Sequence, residues 1–316
     1  MAGDPTTPAL AAAVSAAGGL GCLAAGYKPA ERVAAEIAAV RAATDRPFGL
    51  NVFVPGGPPV DPAAVQAYRE SLAGEAARYG VPAGEPTVDD DGWAAKLELA
   101  GTVPVASFTF GCPAAADIAR LRAGGTLVLV TVTTPAEAAH AVAAGADALC
   151  VQGVEAGGHR GTFGDRPGDL ALLPLLALVR AAVDVPLLAA GGIMTAAGVR
   201  AVLAAGATAA QCGTAFLTAT EAGTAPPHRT ALTDPARTTA LTRAFSGRWA
   251  RGLTNRFLTE HAGAPAGYPA LHHVTSPLRK AAAAAGDPEG MAMWAGQGHA
   301  LARPGTAAEI LARLSP

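Results

Sequence analysis

The sequence of 316 residues has few cysteines and no long uninterrupted apolar run. Its four cysteines, Cys22, Cys112, Cys150 and Cys212, are far apart and form no CxxC pair. This spacing argues against a zinc site and indicates free thiols in a reducing cytosol. No stretch reaches the roughly twenty apolar residues that span a bilayer, and no signal peptide opens the chain. We therefore expect a soluble, cytoplasmic protein with no membrane partner and no metal.

The chain also has no large excess of positive or of negative charge. The formal net charge is −2 and the isoelectric point is near 6.4, so the basic surface that nucleic acids and anionic membranes require is not expected. Apolar residues, in contrast, make up 51% of the chain, which is enough for a large core. The length suits one large domain with an appendage.

Short apolar segments alternate with segments of helical periodicity as far as Leu217, which predicts a parallel sheet covered by helices. No Gly-x-Gly-x-x-Gly opens the first β–α turn, so the pattern favours an α/β fold of the (β/α)8 TIM-barrel type over an open sheet. The predicted strands are 20–24, 48–54, 103–110, 126–132, 148–153, 185–190 and 208–217. The predicted helices are 7–17, 30–43, 65–78, 114–122, 136–144 (capped by Thr134), 170–182 and 196–205.

The alternation of strands and helices stops after Leu217. We predict a barrel over residues 1–217, a small substrate or lid domain over 218–285, and a C-terminal segment over 286–316 that returns to the barrel. Within the lid, Phe245 and Trp249 are expected to shield the site from water.

A glycine-dense turn follows the predicted strand 148–153 and carries His159 near its tip. Gly157, Gly158 and Gly161 permit backbone conformations and close approaches that other residues forbid. Barrel enzymes place their chemistry at the carboxyl ends of the strands. This turn is therefore predicted to be an active-site loop. Glu155 in the same loop is expected to pair with Arg160 or to cap a turn.

Two further glycine turns end the last two predicted strands, one at Gly191 and Gly192 and the other at Gln211, Cys212, Gly213 and Thr214. In barrels, consecutive turns of this kind commonly bind phosphate through backbone N–H groups. Two amides, Asn51 and Gln152, interrupt apolar strands near their carboxyl ends. Amides there suit a ring with donors and acceptors, such as a flavin or a purine.

A flavin-free phosphosugar lyase or isomerase would share the barrel and the phosphate turns. Such enzymes usually need a Schiff-base lysine or paired carboxylates at strand ends, whereas Lys28, Lys96 and Lys280 lie elsewhere. No Ser-His-Asp arrangement or nucleophile elbow supports acyl transfer.

Taken together, these motifs resemble the nitronate monooxygenase (2-nitropropane dioxygenase) family of FMN-containing barrels. The matching segments are 1–3, 16–21, 48–52, 151–159, 189–193, 211–217, 245–248 and 294–297. The resemblance implies that Asn51, Gln152, Gly157, Gly192 and the turn 211–214 hold FMN, and that His159 is the catalytic residue beside the flavin ring.

The activity implied by the resemblance is oxidation of an alkyl nitronate by O₂ to a carbonyl compound and nitrite. His159 would take the α-proton from a neutral nitroalkane or orient the nitronate, since histidine titrates near neutral pH. Flavin-dependent enoyl reductases carry a near copy of the His159 motif and form the alternative within the same class.

The sequence departs from the family at its start, because family chains begin with a strand that ends in Pro-Met-Ala-Gly. Seven strands are counted here, whereas a closed barrel of this kind needs eight. We therefore expect that the first barrel strand is truncated and that the natural reading frame begins upstream.

Overall fold

Parallel β-strands form the central layer of the protein. A computed structural model describes residue 1 and residues 5–57 and 59–316. Seven strands pair in the order β1-β2-β3-β4-β5-β7-β8, and each pairing is parallel. The strands are β1 (Gly21–Ala24), β2 (Phe48–Phe53), β3 (Val105–Thr109), β4 (Leu127–Val132), β5 (Ala148–Gln152), β7 (Leu187–Ala190) and β8 (Ala209–Gln211).

A second, antiparallel sheet has the order β6-β10-β9. Its strands are β6 (Gly158–His159), β9 (Thr239–Thr242) and β10 (Ala250–Leu253). The glycine loop runs from the end of β5 to the start of β6, so it connects the two sheets.

The helices flank the sheet strands in the predicted alternation. They are α1 (Pro8–Ala16), α2 (Ala30–Ala43), α3 (Pro62–Ser71), α4 (Ala73–Tyr79), α5 (Trp93–Ala100), α6 (Ala115–Ala123), α7 (Pro135–Ala143), α8 (Leu172–Ala182), α9 (Ala196–Ala204), α10 (Pro226–Leu232), α11 (Arg256–Glu260), α12 (Ala270–Ala284) and α13 (Ala307–Leu314). The cap predicted for α7 is present, because Thr134 Oγ1 accepts the N–H of Glu137 at 3.1 Å.

The predicted α/β barrel-type fold is confirmed: consecutive parallel strands pair side by side and form a curled sheet of seven strands. Buried residues from the strands and from the inner faces of the helices share one large apolar core. In the described part of the chain, no strand lies between the edge strands β1 and β8. Part of the segment that matches the family at residues 1–3 lies outside the described residues, and the upstream strand stays a prediction.

Two predicted elements differ in the structure. The strand predicted over 208–217 ends at Gln211, and a 3₁₀-helix follows at Thr214–Thr218. Phe216 N–H donates to the Gly213 carbonyl, so local hydrogen bonds replace sheet pairing there. The helix predicted over 65–78 is interrupted at Leu72, which has φ −83° and ψ 8° and separates α3 from α4.

A second apolar cluster lies apart from the barrel core. It joins side chains of α3, including Val65 and Tyr68, to side chains of α11 and α12, including Phe257 and Leu271. The insertion after β2 therefore packs against the C-terminal third of the chain.

None of the helices described is long and apolar enough to cross a membrane.

Candidate functional site

His159 lies at the end of β6, where the glycine loop enters the antiparallel sheet. It pairs with Ala250 of β10, and the next residue, Arg160, donates its N–H to the Trp249 carbonyl at 2.8 Å. A strand distant in sequence therefore fixes the backbone of the predicted catalytic residue.

Two side chains hold the loop from the barrel side. Gln152 at the end of β5 donates from Nε2 to the His159 carbonyl at 3.1 Å and accepts the Gly161 N–H at 2.8 Å. The Arg160 guanidinium is 1% exposed and donates to the carbonyls of Gln152, Gly153 and Pro167. The predicted cofactor amide Gln152 thus also shapes the loop, and one Nε2 hydrogen remains free of these bonds.

Two glutamates accept hydrogen bonds that fix the backbone in and around the loop. Glu155 accepts the N–H of Leu172, the first residue of α8, so it caps a turn and leaves Arg160 to the carbonyls. Glu137 of α7 accepts from both the N–H and the hydroxyl of Thr133, from the Thr162 hydroxyl and from the Phe163 N–H. These contacts tie the loop to the neighbouring β–α units.

Aromatic rings surround the His159 imidazole. The ring centroids of Phe110, Tyr268 and Trp294 lie 5.6, 6.0 and 5.4 Å from that of His159. Burial, together with the positive charges of two arginines described below, lowers the pKa of His159 to about 3. The imidazole is therefore neutral near pH 7, with one of its ring nitrogens unprotonated.

Phe245 and Trp249, the residues that were predicted to shield the site from water, have different surroundings in the structure. Phe245 is 1% exposed and packs between Phe257 and Trp294. Trp294 contacts His159, whereas the Trp249 ring lies 4.5 Å from the Arg243 guanidinium carbon.

Arg248 and Arg279 bring positive charge to this site. The Arg248 guanidinium carbon lies 4.1 Å from the Phe110 ring centroid, and its Nη2 donates to the Thr162 carbonyl. Arg279 donates to Nδ1 and to the carbonyl of His272. Within the described residues, neither arginine pairs with a carboxylate, and the Nε of each is a buried donor without a partner. Such unpaired cations favour an anionic ligand.

Tyr27 adds an aromatic wall at the carboxyl end of β1. Its ring stacks on His272 with 3.8 Å between centroids, and its φ of 67° is unusual for a residue other than glycine. Asp91 Oδ1 accepts the Tyr27 N–H at 3.0 Å. Residues with strained backbone conformations cluster at functional sites. The contacts of Tyr27 with His272 and Asp91 join residues far apart in the chain, so the local sequence gives no sign of them.

The two predicted phosphate turns lie side by side, because Ala190 of β7 pairs with Gln211 of β8. Gly191 and Gly192 have φ values of 130° and 67°, and a Cβ on Gly192 would lie 3.2 Å from the Glu155 Cβ. Among the described residues, the N–H groups of Gly192, Gly213 and Thr214 donate to no protein acceptor. Free N–H groups in adjacent turns are the donors that a phosphate needs.

The remaining predicted cofactor residues are partly engaged by the protein. Asn51 at the end of β2 accepts the Thr109 hydroxyl at 2.9 Å through Oδ1, so its amide hydrogens remain for a ligand. Thr214 Oγ1 accepts the Gly296 N–H at 3.0 Å. Gly157 packs against the C-terminal segment, where a Cβ would lie 2.4 Å from the Ala295 carbonyl carbon. Cys212 is partly buried, and burial raises the pKa of its thiol to about 11.

The arrangement fits FMN chemically. The bare N–H groups of the two turns suit its phosphate, the amides of Asn51 and Gln152 suit its ring, and all of them lie at or just beyond the carboxyl ends of parallel strands. The neutral His159, the aromatic rings and the two arginines then offer a base and an anion-binding wall.

Comparison with known proteins identifies the family of this chain. A family described as nitronate monooxygenase matches residues 1–316. A nitronate monooxygenase of Pseudomonas aeruginosa is 44% identical over 98% of this chain and 92% of its own length, and a probable nitronate monooxygenase of Staphylococcus aureus is 39% identical over 99% and 91%.

Solved structures show the same fold. Nitroalkane oxidase from Streptomyces ansochromogenes superposes with a TM-score of 0.96 at 57% identity, covering 99% of this chain and 92% of that one. FabK from Thermotoga maritima gives 0.76 at 29% identity, covering 99% and 89%. The chain therefore belongs to the nitronate monooxygenase family.

Proposed function

We propose that the protein is an FMN-dependent nitronate monooxygenase that oxidises alkyl nitronates with O₂ to a carbonyl compound and nitrite. The observation that carries this proposal is that the neutral His159 imidazole lies within the electrostatic influence of Arg248 and Arg279, two cations that have no acidic partner within the described residues. A nitronate is an anion, so these arginines stabilise it where a neutral substrate would gain little.

The proposed cofactor residues are Asn51 and Gln152 for the ring, with the turns at Gly191–Gly192 and at 211–214 for the phosphate. Gly157 keeps the C-terminal segment close to the His159 loop. Bound FMN would supply electron exchange between the nitronate and O₂. The protein side chains bind and orient the anion, exclude water with Phe110, Tyr268 and Trp294, and provide His159 as the proton acceptor for a neutral nitroalkane.

We infer that residues 1–217 form the FMN barrel, residues 218–285 the substrate or lid domain, and residues 286–316 the segment that returns to the barrel. The antiparallel sheet supports this division, since two of its three strands lie within 218–285. We also infer that the enzyme works in the cytoplasm, where its four free cysteines would stay reduced.

The test is an absorbance spectrum of the purified protein followed by an assay with a small nitronate. We expect flavin absorbance, nitrite release and O₂ consumption with little NAD(P)H oxidation. Rapid flavin reduction by NADH with no nitrite would transfer the assignment to the enoyl reductase class. A protein that shows no flavin, even after FMN is added, would contradict the proposal.

His159→Ala is the matching variant. It should keep its flavin and lose turnover by about 10²- to 10⁴-fold, the usual contribution of a general acid or base. His140→Ala, on the exposed side of α7, is the control and should retain activity. If the two variants were equally active, His159 would have no catalytic role.

A further inference from the structure

His159 has a hydrogen-bond partner that the proposed reaction does not yet use. Its Nε2 lies 2.8 Å from the hydroxyl oxygen of Ser246, a residue that is 1% exposed. Ser246 sits in a tight turn, because its N–H and that of Gly247 both donate to the Arg243 carbonyl. Gly247 has φ 75°, and a Cβ there would lie 2.6 Å from the Gly267 carbonyl carbon. The serine is therefore rigidly placed.

The partners of Ser246 decide which atom donates. A serine hydroxyl has one proton, and its oxygen lies 3.2 Å from the Arg248 carbonyl, which can only accept. The hydroxyl can therefore donate to that carbonyl. With its proton directed at that carbonyl, the hydroxyl oxygen accepts the Arg248 N–H at 3.4 Å with one lone pair and offers the other to an Nε2–H of His159.

A neutral imidazole with its proton on Nε2 has a lone pair on Nδ1. Among the described residues, Nδ1 of His159 has no hydrogen-bond partner, and it is not one of the enclosed polar atoms left unsatisfied. The basic nitrogen is therefore not fully enclosed, and the rings of Phe110, Tyr268 and Trp294 lie around the imidazole that carries it.

We propose that Ser246 is a positioning residue that holds His159 as the Nε2–H tautomer, and that Nδ1 is the atom that takes the α-proton of a neutral nitroalkane. This inference rests on the proposed function. In the step, the C–H bond breaks and an Nδ1–H bond forms. The electron pair of the C–H bond becomes the C=N bond of the nitronate, whose negative charge lies on the nitro oxygens. Arg248 and Arg279 then stabilise that charge.

The tautomer can be measured without any turnover. We would label the FMN-loaded enzyme with ¹⁵N-histidine, record imidazole nitrogen shifts by NMR, and assign His159 from the signals lost in His159→Asn. We expect a protonated Nε2 and a bare Nδ1 near neutral pH. A proton on Nδ1 in the wild-type enzyme would overturn the proposal, whatever the enzyme oxidises.

Kinetics test the positioning role through a comparison of two substrates. Ser246→Ala should lower kcat/KM for a neutral nitroalkane by about 10²-fold, the lower end of a general base's contribution, because part of the imidazole then carries its proton on Nδ1. The preformed nitronate needs no proton removal, so its kcat/KM should fall much less. Ser246→Thr keeps the hydroxyl and should restore the Nε2–H signal.

Ser15→Ala is the matched control. Ser15 is also 1% exposed and accepts the Gly21 N–H, but it lies at the opposite end of β1 from the site. This variant should leave unchanged both the tautomer of His159 and the ratio of the kcat/KM values for the two substrates. Equal losses on both substrates in Ser246→Ala would show a merely structural serine. If the wild-type enzyme released no nitrite from either substrate, the proposed function would fail, and the NMR spectrum would still decide the tautomer.

Discussion

Asp91 and Lys96 form a buried ion pair that supports Tyr27 at the site. Lys96 Nζ lies 2.7 Å from Asp91 Oδ1, the oxygen that also accepts the Tyr27 N–H, and Lys96 is 1% exposed. Burial raises the pKa of Asp91, and the attraction of Lys96 opposes that effect. Through Lys96, the helix α5 of the insertion thus helps to hold Tyr27 in its left-handed backbone conformation at the carboxyl end of the barrel strands.

Removing one partner of this pair should be costly. Lys96→Met would leave the half-buried Asp91 without its cation, so we expect a loss in the free energy of unfolding of more than about 1 kcal/mol and at most the roughly 3 to 5 kcal/mol that breaking a fully buried pair costs. Urea denaturation measures it. The control is Arg120→Met, which breaks an ion pair with Glu98 in which both side chains are well exposed, and it should cost less than about 1 kcal/mol. Similar losses in the two variants would contradict the argument.

Gly192→Val should weaken FMN binding by at least about tenfold, because a branched side chain at φ 67° is strained and its Cβ would crowd the Glu155 side chain. Titration of the apoprotein, followed by flavin fluorescence, gives the dissociation constant. Gly125→Val is the control, since Gly125 has φ 86° with open space around it and precedes the amino end of β4. It should lose stability but keep its affinity for FMN. If Gly192→Val and Gly125→Val bound FMN with equal affinity, Gly192 would not be part of the phosphate site.

Arg160→Met should loosen the catalytic loop, because three backbone carbonyls would lose a charged donor. Hydrogen bonds to charged groups contribute about 1.5 to 3 kcal/mol each, so we expect faster amide exchange across residues 152–163 and lower activity. Hydrogen–deuterium exchange measures the effect. Arg229→Met also removes a guanidinium that binds three carbonyls, those of Ala219, Ala222 and Thr224. It should destabilise its own region and leave exchange in the loop unchanged.

Acid should destabilise the protein through its buried neutral histidines. Burial lowers the pKa of His228 to about 4, whereas an unfolded histidine titrates near 6.5. Between these values the unfolded chain binds a proton that the folded chain does not, so stability is complete above about pH 6.5 and falls as the pH drops towards 4. The loss is up to about 1.4 kcal/mol per pH unit for each such histidine.

Thermal unfolding between pH 7 and 4 tests this pH dependence. His228→Gln should reduce the slope of stability against pH. A slope that is the same in the variant and in the wild-type protein would show that His228 does not contribute. His159, whose pKa is lowered further, acts in the same direction over the whole window.

Much of the barrel could be predicted from the sequence, because each strand and its helix carry local signals. The helix over Ala30–Ala43 has its predicted bounds, and the cap at Thr134 follows from its place before Pro135. The prediction of His159 and the glycine turns as site residues rests on local signals of the same kind, since glycine has a distinct conformational role.

The rest of the site depends on contacts between distant parts of the chain. Ser246, Arg248 and Asp91 meet the site only through tertiary packing. The segment 245–248 resembles the family, but that resemblance assigned no role to Ser246 or Arg248, and nothing in the local sequence marks Asp91. α12 was missed for a different reason. It contains Pro277 and a pair of histidines, which weaken a local helix prediction, while its apolar face packs on α3.

The pairing of β6 with β10 has a consequence for synthesis. A nascent chain that has left the ribosome only as far as β8 already contains all seven parallel strands, but it lacks the partner that fixes the His159 backbone. The parallel sheet can begin to form early, whereas the geometry of the proposed catalytic loop is complete only after β10 has been synthesised, in the last quarter of translation. Premature termination before β10 would therefore yield a chain with the seven parallel strands but without the pairing that fixes the backbone of His159.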